Sequence, residues 1–403
     1  MTLRRVVVVG GSVAGLAAVE GLRRRGYDGR LTVVAAEPML PYDRPPLSKG
    51  LLTDSPPPLP PFLRTAEAFE ALAVEWRLGC RAVGLDTGAR RLDTQDGQIS
   101  YDALVIATGA DAQGHRDVPQ FENVHRLRTI DDSRALHAAA RSASRVVVVG
   151  GGLLGCEVAA AFVGRGLHVT LVDRAGTLLS RSLGARAGAL VERLHRDNGV
   201  HVLNNSTVSG ITTAPRGAAR VHAVHLVDGT TLPVGIVVLA LGAQPATAWL
   251  AHSGVSVDDG VVTDRYGRTT VTGVYAAGDV ARPFSAAAGR HERSAHWTAA
   301  VTAGDAVAAN MLAGDSPVDD VVGRPYFWSD QYGVRVQVVG TRADGDELTL
   351  ESAAGSARTT GLFSRNGVVT AAFAMNAAGQ LPRLSRLVGQ PLPGNAPAEA
   401  RRA

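Results

Sequence analysis

This chain has almost no lysine. Of its 41 basic residues, 40 are arginine, and the one ammonium is Lys49, in the stretch PYDRPPLSKG at 41–50. Cysteine is nearly as scarce. Cys80 and Cys156 are too few for a disulfide framework, so a reducing compartment is the expected home. Long apolar runs are missing too: stretches such as Val6–Val9 fall far short of the ~20 residues a membrane helix needs. No apolar signal segment precedes the first strand, and a cytoplasmic protein is expected. The formal charge of +4 is small for 403 residues. It leaves room for an acidic partner but does not argue for nucleic acid. The 11 histidines show no paired spacing with cysteines or carboxylates, so no metal site is expected. We read the arginine bias as codon composition, which leaves Lys49 as the residue to explain.

What is present is a globular composition, 45% hydrophobic and 19% charged with 46 glycines, in a chain long enough for two or three domains. The chain also repeats itself. Residues 5–37 read RVVVVGGSVAGLAAVEGLRRRGYDGRLTVVAAE, and residues 145–173 read RVVVVGGGLLGCEVAAAFVGRGLHVTLVD. Each is a β-branched run, a glycine turn, an alanine-rich helix and a second apolar strand ending in an acid. In such a unit the first glycine permits the tight turn and the second admits a pyrophosphate close to the backbone. The third lets helix and strand pack closely, while the helix N-terminus faces the phosphates. The second copy has Gly150, Gly152 and Gly155; the first has Gly10 and Gly15 with Ser12 between them. Glu37 and Asp173 stand 22 and 18 residues past Gly15 and Gly155, near the ~20-residue interval at which a carboxylate takes ribose hydroxyls. One glycine pattern is weak evidence. Two in this context imply two dinucleotides, of which a flavin and a nicotinamide are the obvious pair.

Three later segments fit that layout. YDALVIATGA at 101–110 reads as a strand closing on Thr108-Gly109, and IVVLALGAQP at 236–245 as its counterpart after the second unit. VYAAGDVA at 274–281 reads as a strand whose Gly-Asp opens a helix, bringing amides toward a ribityl-phosphate chain.

With these motifs the chain resembles the FAD-dependent pyridine nucleotide oxidoreductases, and more narrowly the ferredoxin reductases of oxygenase systems, of the putidaredoxin-reductase and biphenyl-dioxygenase type. The residues that carry the resemblance are PYDRPPLSK, GCEVAA, LRTIDDSRAL at 127–136, YAAGDVA, HWT at 296–298 and PYFWSDQYGVRVQVVG at 325–340. It implies an α/β fold with two Rossmann-like, glutathione-reductase-like dinucleotide-binding domains and a C-terminal α+β domain. The FAD domain would be discontinuous, 1–110 and 245–319, with the NAD(P) domain at 111–244 and the C-terminal domain at 320–403. The resemblance places Gly10, Ser12, Ala14 and Gly15 at the FAD pyrophosphate and Glu37 on the adenosine ribose. Arg44, Lys49, Thr108 and Gly109 lie along the flavin and Val83 near the adenine. Arg128 and Asp279 serve phosphate and ribityl groups, and Trp297 the isoalloxazine. Gly150, Gly152, Leu154, Gly155, Asp173 and Gly242 serve the nicotinamide cofactor. The Asp173 carboxylate favours NADH, while Arg174 and Arg181 offer cations to a 2′-phosphate, so NADPH stays open.

The implied chemistry turns a two-electron hydride from NADH into single electrons for a [2Fe–2S] ferredoxin, which supplies a haem monooxygenase or a Rieske-type dioxygenase. No nucleophile is needed, because the flavin carries the reaction. Disulfide-reducing relatives need a cysteine shortly after the first unit, where this chain has none. Cys80 and Cys156, expected in a strand and a helix, read as small buried hydrophobes. In the resembling enzymes the lysine pairs with a glutamate beside flavin N5, and Glu157 stands at that place. Lys49, Glu157 and Trp297 are therefore the expected catalytic residues. A compact ammonium suits that role better than a planar guanidinium.

The chain departs from its relatives at Ala295, where they carry glutamate, which puts the nicotinamide-side contacts in doubt. An NADH oxidase, a rubredoxin or small-molecule reductase, and a redox-sensing flavoprotein stay open as alternatives. The proline cluster 55–64 reads as a stiff surface loop. Arg290, Arg293 and Arg335 are candidates to steer an acidic ferredoxin, in a monomer or homodimer with no membrane partner.

Overall fold

The computed structural model describes residues 3–53, 60–213, 220–352 and 358–393. Most of the proline cluster, residues 55–59, lies outside the described residues. The chain forms two compact units. One comprises Met1–Asp43, Pro60–Asp111 and Gln244–Pro325; the other Arg44–Leu59, Ala112–Ala243 and Tyr326–Ala403.

The first unit is built on a five-stranded parallel sheet, in the order Val274–Ala276, Ala103–Ile106, Arg5–Val9, Arg30–Ala35, Val74–Leu78. Its central strand is four valines after an arginine. Such a run suits a strand buried on both faces, where β-branched side chains pack well. Val6 and Val8 join one core with Ala18, Leu22 and Val307. Val7 and Val9 join the other with Leu92, Leu104 and Ile106. The helix Val13–Arg24 follows the glycine turn and packs on the helix Trp297–Ala313. A Cβ on Gly304 would lie 2.3 Å from the Ala14 carbonyl, so the two helices meet at backbone contact.

The second unit repeats the pattern, with the parallel order His201–Leu203, His168–Val172, Arg145–Val149, Ile236–Leu239, Val124–His125. An antiparallel meander, Val208–Thr213, Val221–Leu226 and Thr231–Pro233, shares its core through Val208, Val221, Val224 and Leu226. The C-terminal part is a five-stranded antiparallel sheet, in the order Tyr326–Gln331, Val334–Gly340, Val368–Met375, Thr359–Arg365, Glu347–Ser352. Two of its hairpins turn through paired positive-φ residues, Asn366-Gly367 (52° and 75°) and Tyr332-Gly333 (53° and 74°). Asn-Gly is the usual choice for such a turn. A tyrosine at its first position carries a left-handed cost of about 1–2 kcal/mol.

The expected fold class is observed: two parallel-sheet α/β layers and a C-terminal α+β part. The division into units differs from the four-segment reading in two respects. Arg44–Leu59 groups with the inserted segment, and so does the C-terminal sheet. Hydrogen bonds from Ser48 and Ser329 to Glu157, and from Ser133 to the Leu47 carbonyl, show the cause. Local structure corrects two expectations. Gly278-Asp279 opens a single 3-10 turn (Gly278–Val280) followed by the strand Ala281–Ser285, and the helix begins only at Trp297. Gly278 has φ +75°, which ends the strand but does not start an α-helix. Cys80 falls in the connection after Val74–Leu78, where the preceding Gly79, at φ +69°, breaks the strand.

Candidate active site

In the first unit three segments converge on one glycine turn. Gly10 has φ +126°, and a Cβ there would lie 2.0 Å from the Ala107 carbonyl oxygen. The strand leading to Thr108-Gly109 thus runs directly under the turn. A Cβ on Gly15 would lie 2.0 Å from the Gly10 carbonyl, and one on Gly278 2.8 Å from the Ala14 Cβ. The Gly-Asp segment carrying Asp279 therefore abuts the same turn. Thr108 Oγ1 donates to the Ala246 carbonyl at 2.9 Å, and the Gly109 carbonyl accepts from Ala246 N–H at 3.0 Å.

Trp297 opens its helix, and its indole Nε1 donates to Asp43 Oδ1 at 2.7 Å, which fixes the ring. Burial pushes the neighbouring His296 below the ordinary histidine range, against an opposing pull from Asp279. The Tyr42 hydroxyl donates to Glu37, two residues past the strand end. Val83 is 54% exposed, on the strand Ala82–Asp86.

The second unit builds the same turn. A Cβ on Gly150 would lie 2.3 Å from the Ala240 carbonyl, and one on Gly155 1.8 Å from the Gly150 carbonyl. A Cβ on Gly152 would meet nothing within 4 Å. The Asp173 carboxylate accepts from the Gly151 amide and, at 2.6 Å, from the Ala175 amide. It braces the turn. Gly242 has φ +98° and its carbonyl accepts from Gln113 N–H. Arg174 and Arg181 are exposed. Arg44 donates to the Arg128 carbonyl at 2.6 Å, so these two expected flavin residues do meet.

Neither glycine-turn helix has a side-chain hydrogen bond at its N-cap. Their first-turn amides are donors of the kind that bind a phosphate, and the face at Gly152 is open. The residues present fit dinucleotides.

Lys49 Nζ lies 2.8 Å from Glu157 Oε2, with the side chains 23% and 8% exposed. A pair this enclosed needs further hydrogen bonds to offset its desolvation. They are present: Glu157 also accepts from Ser48 Oγ and, at 2.7 Å, from Ser329 Oγ, and Lys49 donates to the Pro45 carbonyl at 3.1 Å. Among the described residues two of the three ammonium hydrogens have acceptors. Behind Ser329 the bonds continue. Gln331 Nε2 donates to Ser329 Oγ (2.9 Å), Gln331 Oε1 faces His195 Nε2 (2.9 Å), and His195 Nδ1 faces the Tyr332 hydroxyl (2.9 Å). Burial lowers His195 to about 4.

Sequence reasoning found Lys49 and Glu157 and missed Ser48, Ser329, Gln331, His195 and Tyr332. One signal was available. In Tyr326–Gln331 the inward positions are Phe327, Ser329 and Gln331, a period-2 face with two polar residues.

Cys80 and Cys156 are buried free thiols, and burial pushes both upward in pKa. Their thiolates are thus disfavoured. The arginines offered as candidates to steer a ferredoxin each have an acidic partner, Arg290 with Glu292, Arg293 with Asp259 and Arg335 with Asp330. Among the described residues no helix is long and apolar enough to cross a membrane, and no His/Cys/Asp/Glu cluster is arranged for a metal.

Known proteins place this architecture. Residues 4–304 match the pyridine nucleotide-disulphide oxidoreductase family and residues 326–400 the reductase C-terminal family. The chain is 34% identical, over 95% of its length and 93% of the relative's, to the anthranilate 1,2-dioxygenase system ferredoxin–NAD(+) reductase component of Burkholderia cepacia. It is 32% identical, over 95% and 93%, to the biphenyl dioxygenase system ferredoxin–NAD(+) reductase component of Paraburkholderia xenovorans. Its fold is similar to the reductase in the covalent putidaredoxin reductase–putidaredoxin complex, with a TM-score of 0.90 and 28% identity over 96% of this chain and 93% of that one. The chain belongs to the pyridine nucleotide-disulphide oxidoreductase family, among the members that end in the reductase C-terminal domain.

Proposed function

We propose that this protein is an FAD-dependent NAD(P)H:ferredoxin reductase. It takes hydride from NADH and passes single electrons to a [2Fe–2S] ferredoxin that supplies a haem monooxygenase or a Rieske-type dioxygenase. The observation that carries this reading is the enclosed Lys49–Glu157 pair in a chain with two glycine-turn nucleotide sites and no cysteine where a redox disulfide would stand. Bound FAD supplies the exchange between hydride and single electrons. The protein's own residues bind, orient and charge the site. The Gly10–Gly15 turn with Asp279 holds the FAD diphosphate and ribityl chain, with Glu37 at the adenosine ribose and Val83 near the adenine. Arg44 lies along the flavin, Arg128 serves its phosphate groups, and Trp297, pinned by Asp43, orients the ring. Lys49 offers its remaining N–H near flavin N5, with Glu157 as its counter-charge. The Gly150–Gly155 turn, Leu154, Asp173 and Gly242 hold the nicotinamide cofactor, and the carboxylate of Asp173 favours NADH over NADPH. The domain assignment follows: FAD at 1–110 and 245–319, NAD(P) at 111–244, and a C-terminal domain at 320–403. The site of action is the cytoplasm.

The experiment is steady-state oxidation of NADH and NADPH with a panel of [2Fe–2S] ferredoxins, together with stopped-flow reduction of the flavin. Ferredoxin-dependent cytochrome c reduction supports the proposal. Turnover that no ferredoxin accelerates turns the reading to an oxidase or small-molecule reductase. Reduction by NADH over many minutes turns it to a redox sensor, a reading that Ala295 favours by withholding the carboxylate relatives place there.

A further inference from the structure

The hydrogen bonds behind Glu157 have only one consistent direction. Glu157, paired with the Lys49 ammonium, offers its oxygens as acceptors. Ser329 has one hydroxyl hydrogen, and it goes to Glu157 Oε1. Ser329 Oγ therefore receives from Gln331, and the amide nitrogen of Gln331 must be the group that faces it. That turns Gln331 Oε1 toward His195 Nε2, which must carry the ring hydrogen. His195 Nδ1 is left as an acceptor, and the Tyr332 hydroxyl donates to it. Every dipole from Tyr332 inward points at the Glu157 carboxylate. Ser329, Gln331 and His195 are 0%, 1% and 0% exposed, so bulk solvent does not reach their bonds.

Two further observations single this array out. Tyr332 sits at a left-handed position, φ 53°, in a two-residue hairpin turn. There its ring meets His195 edge-on, with centroids 5.2 Å apart and planes at 76°. A strained turn residue thus delivers the outermost donor. Burial also keeps His195 neutral at ordinary pH, the form this direction requires.

We propose that Ser329, Gln331, His195 and Tyr332 are a positioning array that fixes the Glu157 carboxylate and, through it, the Lys49 ammonium. The inference rests on the reading of Lys49 and Glu157 as the pair that serves the flavin. The array orients and does not conduct, because an amide passes a proton only through its imidic acid form and Gln331 stands in the middle. Because the array pulls Glu157 Oε1 inward, Oε2 is presented to Lys49 and Ser48. Cooperative polarisation along the chain strengthens each bond in turn.

The test compares Tyr332→Phe, Ser329→Ala, Gln331→Leu and Glu157→Gln holoproteins with the wild type. Tyr332→Phe removes one hydroxyl and keeps the ring, so its fold is the least disturbed. Nitrogen NMR of the His195 ring is expected to show hydrogen on Nε2 in the wild type. Ser329→Ala and Gln331→Leu are expected to shift the flavin midpoint potential and slow its reduction by NADH about tenfold, equal to ~1.4 kcal/mol. Tyr332→Phe is expected to move both in the same direction by less, and to stay folded with a melting temperature lowered only by the loss of one hydrogen bond. A wild-type ring protonated on Nδ1 overturns the proposal. So do wild-type potentials and rates in the folded array variants when Glu157→Gln is slowed, which leaves the charge pair standing. If Glu157→Gln also behaves as wild type, the pair's role falls with the array's.

Discussion

Acid should expose the cost of keeping His195 neutral. Its ring, on the helix Ser180–Asp197, is held by Gln331 at Nε2 and Tyr332 at Nδ1. Burial lowers it from an ordinary value of 6.5 to about 4. As pH falls, the unfolded chain takes up this proton first. The contribution of the neutral ring is thus whole above the unfolded value and is lost as pH falls toward the folded one. Those two values give a loss of ~2 kcal/mol between pH 7 and pH 5 and ~3 kcal/mol by pH 4. Urea unfolding of the FAD-loaded protein at pH 7, 6 and 5 measures it, against His195→Gln, which does not titrate. The variant should be less stable at pH 7 by ~1–3 kcal/mol for its lost buried hydrogen bonds. Its stability should then fall less steeply, so that the gap narrows by ~2 kcal/mol at pH 5. Carboxylates held low by arginines, such as Asp102 and Asp305, titrate in both proteins and cancel in the difference. Parallel curves would refute the reasoning.

Three other outcomes are expected. Lys49→Arg should keep FAD but slow hydride transfer or shift the flavin potential, as measured by stopped-flow absorbance, because a guanidinium does not replace a point-like ammonium beside Glu157. Gly155→Ala should fail to accumulate as folded protein, since its Cβ would lie 1.8 Å from the Gly150 carbonyl, whereas Gly152→Ala, facing open space, should fold normally and show a raised KM for NADH. Trp297→Phe should lose the 2.7 Å bond to Asp43 and ~1 kcal/mol of stability, and a changed flavin fluorescence would place the ring at the cofactor.

Much of the architecture was readable in one dimension because its causes are local. A valine run, a glycine where a Cβ has no room and an acid at the next strand's end are covalently spaced constraints, and both βαβ units obeyed them. Gly278-Asp279 misled, because the same glycine that ends a strand also begins a helix elsewhere, and only the chain that follows decides between them. Cys80 misled by a single glycine.

The lone lysine shows the boundary most clearly. Sequence alone marked Lys49 as exceptional and, through the resemblance, named Glu157 as its partner. The donors around that carboxylate were hidden. Ser48, Ser329, Gln331, His195 and Tyr332 are ordinary polar residues drawn from three separate stretches, up to 284 positions apart. Each looks like surface until folding buries it. Hydrogen-bond direction depends on which single hydrogen each group owns and what faces it, and neither exists before the chain is folded. Spacing along the chain therefore determined the two glycine turns, the resemblance named the charge pair, and tertiary packing alone decided how that pair is held.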